Sequence, residues 1–349
     1  MAASSSSSHR PVLPCLAVEC SCCKPNTTFI SAAEKKPVAH GLPELLNVKA
    51  TVCPTPLGWI LVRESASGST YLLDPQSHQD DKIPLPPLTG TDDDVLMDCN
   101  CLLSNQPTAQ AAAGCVVLLV ELQDTVIWYH HIGAGAGGEW TRHEYDIGIQ
   151  GDKYGFTEKI HIVPVAACRG KFYFNSFFTG ISVLEFCGPA GSPQFSSIRL
   201  AGVAPGDWGR GAFHVFLLES DGELYMVRLK TTLGSQSSPA SSSSSSSPSP
   251  LQVGVYKMDF SERRWCRADD LGDRAFFVAP FYFGASCLAG GKYGIQKNCV
   301  YSVRYLGDKS FTVSNVEDGT SHVHSIHGAE ASPDSILRTL WMLPTDQKP

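Results

Sequence analysis

The sequence predicts an all-β fold: a single β-propeller of four-stranded antiparallel blades, six in number, with five and seven as the alternatives. Three observations lead there. Short apolar or alternating runs recur from end to end, bounded by Gly, Pro, Asp or Asn, while apolar residues at helical spacing are hard to find. Composition agrees, since 31 Gly and 23 Pro supply many turns and charged residues are only 17 % of the chain, against about 25 % in ordinary globular proteins. Several units also repeat one order: a Gly, an apolar strand, a turn, a second strand ending in an aromatic or Asp, then a Trp- or Pro-bearing strand. They fall at 58–87, 114–140, 170–200 and 222–265, each able to supply part or all of a blade. A small sheet with two apolar faces needs a neighbour on each side, and closing the row into a ring leaves neither end wet.

Taken in order, residues 1–10 are Ser-rich and lack a helical Arg-bearing face, so they read as a disordered tail rather than a transit segment. The propeller is expected over 11–344, and 345–349 as a second tail. Strands are expected at 58–62, 70–73, 116–120, 126–129, 171–174, 181–184, 213–217, 223–227, 253–260 and 299–305. Asp221-Gly222 sits between two such runs as a hairpin turn, and Arg169-Gly170 and Thr179-Gly180 occupy similar places. The glycine run 133–138 lacks the Lys-Ser/Thr of a phosphate loop and precedes Trp140 rather than a helix, which makes it a hairpin tip. Residues 234–250, with an unbroken serine run from Ser241 to Ser247, have nothing to bury and form a disordered insertion. Because Leu229 and Val253 both continue strand patterns, the insertion lengthens a hairpin within one blade, and closing a longer loop costs little more entropy.

Charge and cysteine content narrow the partners. A formal net charge of −7 leaves no broad basic surface for nucleic acid or anionic lipid. The basic run Glu262-Arg263-Arg264-Trp265 is a polar turn beside a buried aromatic. The longest apolar stretch, 114–122, is interrupted by Glu121 and falls well short of the roughly 20 residues needed to span a bilayer. Thirteen cysteines are an odd count in apolar strand-like company, as at Cys115 and Cys299, and read as reduced thiols used as small hydrophobes. A soluble monomer in the cytoplasm or nucleus is the expectation.

The chemistry-bearing clusters are weak. Cys20, Cys22 and Cys23, with Cys15 upstream, lack paired CxxC spacing for zinc. His322 and His324 would share one face of a strand, with His327 nearby, yet no acid or fourth ligand has an assured place, so a solvated cluster is favoured. Asp92-Asp93-Asp94 lacks the spaced oxygens and glycine of an EF-hand and reads as a solvated acidic turn. No G-x-S-x-G elbow or convincing Cys or Ser triad is visible. Glu121, Glu158, Glu185 and Glu219 are carboxylates that a propeller channel could use, but none is assigned as acid or base. No catalytic residue, cofactor ligand or metal ligand is therefore assigned.

One stretch carries a family pattern: Val255-Tyr256-Lys257-Met258-Asp259-Phe260, Arg264-Trp265, Asp269-Asp270-Leu271-Gly272-Asp273-Arg274-Ala275-Phe276-Phe277 and Asn298-Cys299-Val300-Tyr301. Read on its own, it is a strand, a turn at Ser261-Glu262-Arg263, and a return strand whose Trp265 fills space between sheets. A tight crossing follows, in which Gly272 takes positive φ and Asp273 satisfies nearby amides. This order resembles the plant F-box-associated β-propeller family, domain of unknown function family 295. His40-Gly41-Leu42-Pro43-Glu44, Gly58-Trp59, Leu72-Leu73-Asp74-Pro75 and the segment Ile83-Pro84-Leu85-Pro86-Pro87-Leu88 resemble its opening blades. The resemblance implies a non-catalytic protein-binding propeller. Members with an F-box look like substrate receptors of ubiquitin ligases, and some restrain a plant kinase, so a kinase or other regulatory protein is the implied partner. Here family-like sequence starts near Pro11, without room for an F-box, so the tether to a ligase is expected to be absent. The alternative function is a propeller enzyme, or a sugar- or small-ligand-binding protein, using the central pocket.

Overall fold

Successive side chains of a strand point to opposite faces, and in this chain both faces of most sheets are apolar. The computed structural model describes residues 12–20, 27–38, 41–42, 49–76, 82–107, 114–133, 138–151, 155–177, 179–187, 191–202, 212–231, 251–326 and 337–345. The first blade holds β1 (Cys15–Cys20), β2 (Thr27–Ser31) and β3 (Pro37–Val38), and the second β4 (Ala50–Pro54), β5 (Ile60–Glu64), β6 (Thr70–Leu73) and β7 (Lys82–Leu85). A one-turn helix, α1 (Asp93–Met97), leads into the third: β8 (Cys99–Leu103), β9 (Val116–Glu121), β10 (Val126–His131) and β11 (Thr141–Glu144). A separate hairpin, β12 (Ile149–Gly151) and β13 (Thr157–Lys159), precedes the fourth: β14 (Val165–Cys168), β15 (Lys171–Phe177), β16 (Gly180–Phe186) and β17 (Pro193–Arg199). The fifth contains β18 (Ala212–Ser220), β19 (Glu223–Thr231), β20 (Leu251–Asp259) and β21 (Arg264–Arg267). The sixth contains β22 (Arg274–Ala279), β23 (Phe283–Leu288), β24 (Cys299–Ser302), β25 (Ser310–Asn315) and β26 (Ser321–Ser325), and the chain returns as β27 (Leu337–Met342).

β27 pairs with β1 from Cys15↔Met342 to Cys20↔Leu337, so the last strand completes the first blade in the order β27-β1-β2-β3. Blades two to five are four-stranded and antiparallel in chain order. The sixth departs from that plan. Its order is β23-β22-β24-β25-β26, and β22 and β24 run parallel. Swapping β23 to the inner edge brings it against β18 of the fifth blade, where a Cβ on Gly284 would lie 2.5 Å from the Leu217 carbonyl oxygen. Only glycine fits there.

Among the described residues, six apolar clusters fill the six gaps between neighbouring blades. The alternation is direct. Leu16 and Val18 face the sixth blade's Phe277 and Tyr301, whereas Cys15 and Ala17 face the second blade's Val52 and Ile60. Val117 and Leu119 face the second blade, and Val116, Leu118 and Val120 the fourth. Trp265 packs against Ala166 and Tyr173 of the fourth blade, the inter-sheet role expected of it. The ring of wedges, six blades around one axis, is therefore as the sequence predicts.

Several details differ. The four repeating units begin one strand late, because Gly58, Gly114, Gly170 and Gly222 stand in the turns between first and second strands. Asp221-Gly222 and Arg169-Gly170 are two-residue turns with positive φ at both positions, as hairpin twist demands. Gly180, expected in a turn, is already the first residue of β16. Gly272 takes φ +63 as expected, but it is Asp270 that accepts the Gly272 amide, at 2.8 Å, while Asp273 faces Lys297 at 3.7 Å. Thr345, expected in the tail, is buried and donates to Asp74 at 3.2 Å. The tail at 1–10, the rest of the C-terminal tail and the insertion at 234–250 lie outside the described residues; the strands that flank the insertion pair directly as Thr231↔Leu251.

Candidate functional site at one mouth of the channel

The inner strands β4, β8, β14, β18 and β23, with β27, stand around the axis, and their small residues leave a cavity of about 560 Å³ at one mouth. Every blade contributes to its wall. Pro344 comes from the first, Leu57 and Trp59 from the second, Gln106 from the third, Ala167 from the fourth, Glu219 and Asp221 from the fifth, and Arg274 and Ser286 from the sixth.

Its polar groups are held in place by one another. The Asp221-Gly222 turn projects a carboxylate over the rim, where Arg274 at the start of β22 grips it with two hydrogen bonds, Nε to Oδ2 at 3.1 Å and Nη2 to Oδ1 at 2.5 Å. That fork joins the fifth blade to the sixth. From the fourth blade, Arg169 donates to the Gly222 carbonyl at 2.6 Å and to Glu223 at 2.8 Å. The Glu219 carboxylate accepts the Gly222 amide. Ser220 and Ser286 hydroxyls meet at 2.8 Å, and the Trp59 indole donates to the Gln106 side-chain oxygen at 2.9 Å. The arrangement offers fixed donors and acceptors in a recess, the chemistry of binding.

Of the four carboxylates weighed from sequence, only Glu219 lines this cavity. Glu121 accepts the Trp128 indole at 2.8 Å, Glu158 accepts from Gln150 at 2.7 Å, and Glu185 pairs with Lys171 at 2.7 Å. Asp92-Asp93-Asp94 is more than a solvated turn, because Asp93 pairs with the buried guanidinium of Arg63 at the start of α1. His322 and His324 lie on β26; His324 packs its ring 5.3 Å from that of Phe311, and partial burial and Lys35 lower its pKa. His327, Cys22, Cys23 and the side chain of Cys20 lie outside the described residues. Cys15 is fully buried, which pushes its thiol up to about 12. Among the described residues no group of three His, Cys, Asp or Glu is placed to hold a metal ion.

A second cavity, of about 30 Å³, lies between inner strands and is lined by Cys53, Cys99, Cys101, Arg338 and Trp341. Burial raises the Cys53 thiol to about 11 and raises Cys99 and Cys101 further, which holds these sulfurs protonated among the strands they fill. Sequence reasoning missed Trp59, Gln106, Asp221, Arg274 and Ser286 as a group. Only the turn signal at Asp221-Gly222 and the family-like Gly58-Trp59 and Asp273-Arg274 pairs pointed toward them.

A closed ring of six small sheets with a recess at one end of its axis defines a six-bladed β-propeller with a channel-mouth pocket. The chain belongs to the KIB1-4 beta-propeller family, whose model matches residues 29–327. No curated protein matches it. Solved structures similar to it include two single-substitution mutants of Synechocystis apocarotenoid oxygenase. They are 10% and 11% identical, with 80% and 79% of this chain matched to 60% and 59% of theirs, each at a TM-score of 0.29. An ACO/RPE65 chimera is similar to the same degree, at 11% identity, 80% of this chain, 59% of that chain and a TM-score of 0.29. The chain thus spans about three-fifths of the length of these structures. At that TM-score the likeness has no bearing on function.

Among the described residues no helix is long and apolar enough to cross a membrane.

Proposed function

We propose that this chain is a non-catalytic protein-interaction module, a propeller that presents one face to a partner protein. The observation that carries the reading is an exposed apolar and aromatic group on the face opposite the pocket. Hydrogen bonding of the Val303 amide to the Val278 carbonyl sets the loop after β24 beside the turn between β22 and β23. Tyr282, Tyr305 and Leu306 are thereby exposed at one end of the sixth blade, at 39%, 43% and 45%. The His214 ring, from the far end of β18, lies 5.1 Å from Tyr305 and extends the group onto the fifth blade. Aromatic side chains gathered with little solvent cover are the usual anchors of protein interfaces.

Family membership supports an interaction role, and the resemblance to F-box-associated propellers supports a kinase or other regulatory protein as the partner, met by a monomer in the cytoplasm or nucleus. The net charge of −7 supports neither nucleic acid nor anionic lipid as a partner.

The test is affinity purification of tagged protein from plant extract with mass spectrometry, in parallel with a Tyr282→Ser/Tyr305→Ser/Leu306→Ser variant. A partner recovered stoichiometrically by the parent and lost by the folded variant supports the reading. No partner, or the same partner recovered by both, overturns it.

A further inference from the structure

The pocket at the channel mouth calls for an occupant of its own, because nothing in the protein-docking face uses it. We propose that it binds a neutral, polyhydroxylated small molecule of mono- to disaccharide size. This stands apart from the protein-binding reading and depends on different residues.

Space comes first. The cavity of about 560 Å³ exists because Ala167, Ser220 and Ser286 stand where larger side chains would close the axis. Small-ligand pockets run from roughly 300 to 1,000 Å³, so a whole ligand fits.

The wall has two characters. The second blade contributes Leu57, and the first contributes Pro344; across the axis the fifth and sixth contribute Glu219, Asp221, Arg274, Ser220 and Ser286. A sugar or cyclitol has the same division, with C–H faces between hydroxyls that each donate and accept. Ligand hydroxyls donate to the carboxylates and accept from guanidinium N–H groups, while C–H faces lie on Leu57 and Pro344.

Charge excludes the nearest rivals. Two carboxylates, Glu219 and Asp221, outnumber the guanidinium of Arg274, which Asp221 already grips. A phosphate or carboxylate ligand would meet repulsion and have to break that fork. A polyamine would satisfy the charge but can only donate, whereas a hydroxyl both donates and accepts among the paired serines and the Arg274–Asp221 fork. Because Asp221, Ser286 and Gln106 are held by hydrogen bonds before any ligand arrives, binding costs little further ordering.

Full-length protein is titrated with glucose, sucrose and myo-inositol, with glucose 6-phosphate and spermidine as charged counterparts, by saturation-transfer NMR and thermal shift. At least one neutral polyol is expected to give transfer and raise Tm by about 2 °C or more at saturating concentration, since a ligand bound only by the folded form stabilises it. Ser286→Leu fills the floor and abolishes both signals. Glu219→Gln keeps an acceptor for the Gly222 amide and weakens binding about tenfold, through loss of a charge-assisted hydrogen bond to the ligand. No signal from any neutral polyol, signal from the charged compounds alone, or binding unchanged in Glu219→Gln overturns the proposal.

Discussion

Arg63 shows how one buried cation organises a connection between blades. It sits on β5 at 8 % exposure and donates Nε to the Leu88 carbonyl at 2.8 Å and Nη2 to the Thr91 carbonyl at 3.1 Å, while Nη1 pairs with Asp93. Thr51 adds a 2.8 Å bond to the same carboxylate. The segment from the second blade to the third is thus pinned to the sheet it has just left. Removing the guanidinium in Arg63→Met leaves two carbonyls and a carboxylate short of a donor, a loss of about 2 kcal/mol, readable as a lower urea midpoint. Asp93 gives the same contact a pH signature. Against the raising effect of partial burial, hydrogen bonds from Ser65 and Thr51 and the charge of Arg63 hold its carboxyl below the ordinary carboxylate value. A carboxyl depressed in the folded state adds stability that is complete above its unfolded pKa of about 3.9 and fades as pH falls through the folded value. Urea midpoints of the parent should therefore exceed those of Asp93→Asn from pH 5 to 7, the gap narrowing below pH 4. A gap that persists undiminished into acid would contradict this assignment.

At the scale of elements, β27 matters most, because the last strand supplies the inner edge of the first blade. Its Trp341 is 1 % exposed, meets Phe277, Phe311 and Tyr301, and donates its indole N–H to the Val278 carbonyl at 3.2 Å. Trp341→Ala should cost about 3–5 kcal/mol, measured by denaturant unfolding, against less than about 1.5 kcal/mol for a volume-conserving swap such as Leu340→Met. The same element shows what was legible in the sequence. Middle strands such as β9, Val-Val-Leu-Leu-Val-Glu, declare themselves because both faces are buried and β-branched residues fill them. Most inner strands do not, β18 with its Phe, Val and Leu residues being the exception. β4 reads Ala-Thr-Val-Cys-Pro, β8 Cys-Asn-Cys-Leu-Leu and β14 Val-Ala-Ala-Cys, since six strands converging on an axis need small residues, which have weak strand preference. Outer strands such as β11, Thr-Arg-His-Glu, are polar because one edge faces water. The channel-mouth site was illegible for the same reason, assembled as it is from single residues of six blades. Glu219 was among the carboxylates weighed, but only the fold separates it from Glu121, Glu158 and Glu185.

At the scale of the whole molecule, the ring is closed among the described residues by the non-covalent pairing of β27 with β1, and its behaviour should depend on that closure. Each apolar cluster is shared by two blades, so no blade keeps both faces dry by itself. The gap between sixth and first blades is filled from both ends of the chain, with Leu16 and Ile30 from the first three strands, Trp341 from the last and Leu343 just beyond it. Beyond β27, Thr345 bonds Asp74, and Gly58 lets the turn after β4 approach so closely that an added Cβ would lie 2.4 Å from the Pro344 carbonyl oxygen. The C-terminal residues therefore fasten the sixth, first and second blades together. With all six gaps closed, thermal unfolding should be a single transition in which calorimetric and van't Hoff enthalpies agree. Deleting residues 337–349 removes one strand, yet it wets two gaps and turns the ring into an open row, whose terminal blades unfold ahead of the middle ones as in other stacked arrays. Calorimetry of the deletion should show a broadened or split transition, with hydrogen exchange accelerated first in β1, β2 and β5 and last in β15 and β16. A single sharp transition, merely shifted to lower temperature, would show that the blades cohere without closure.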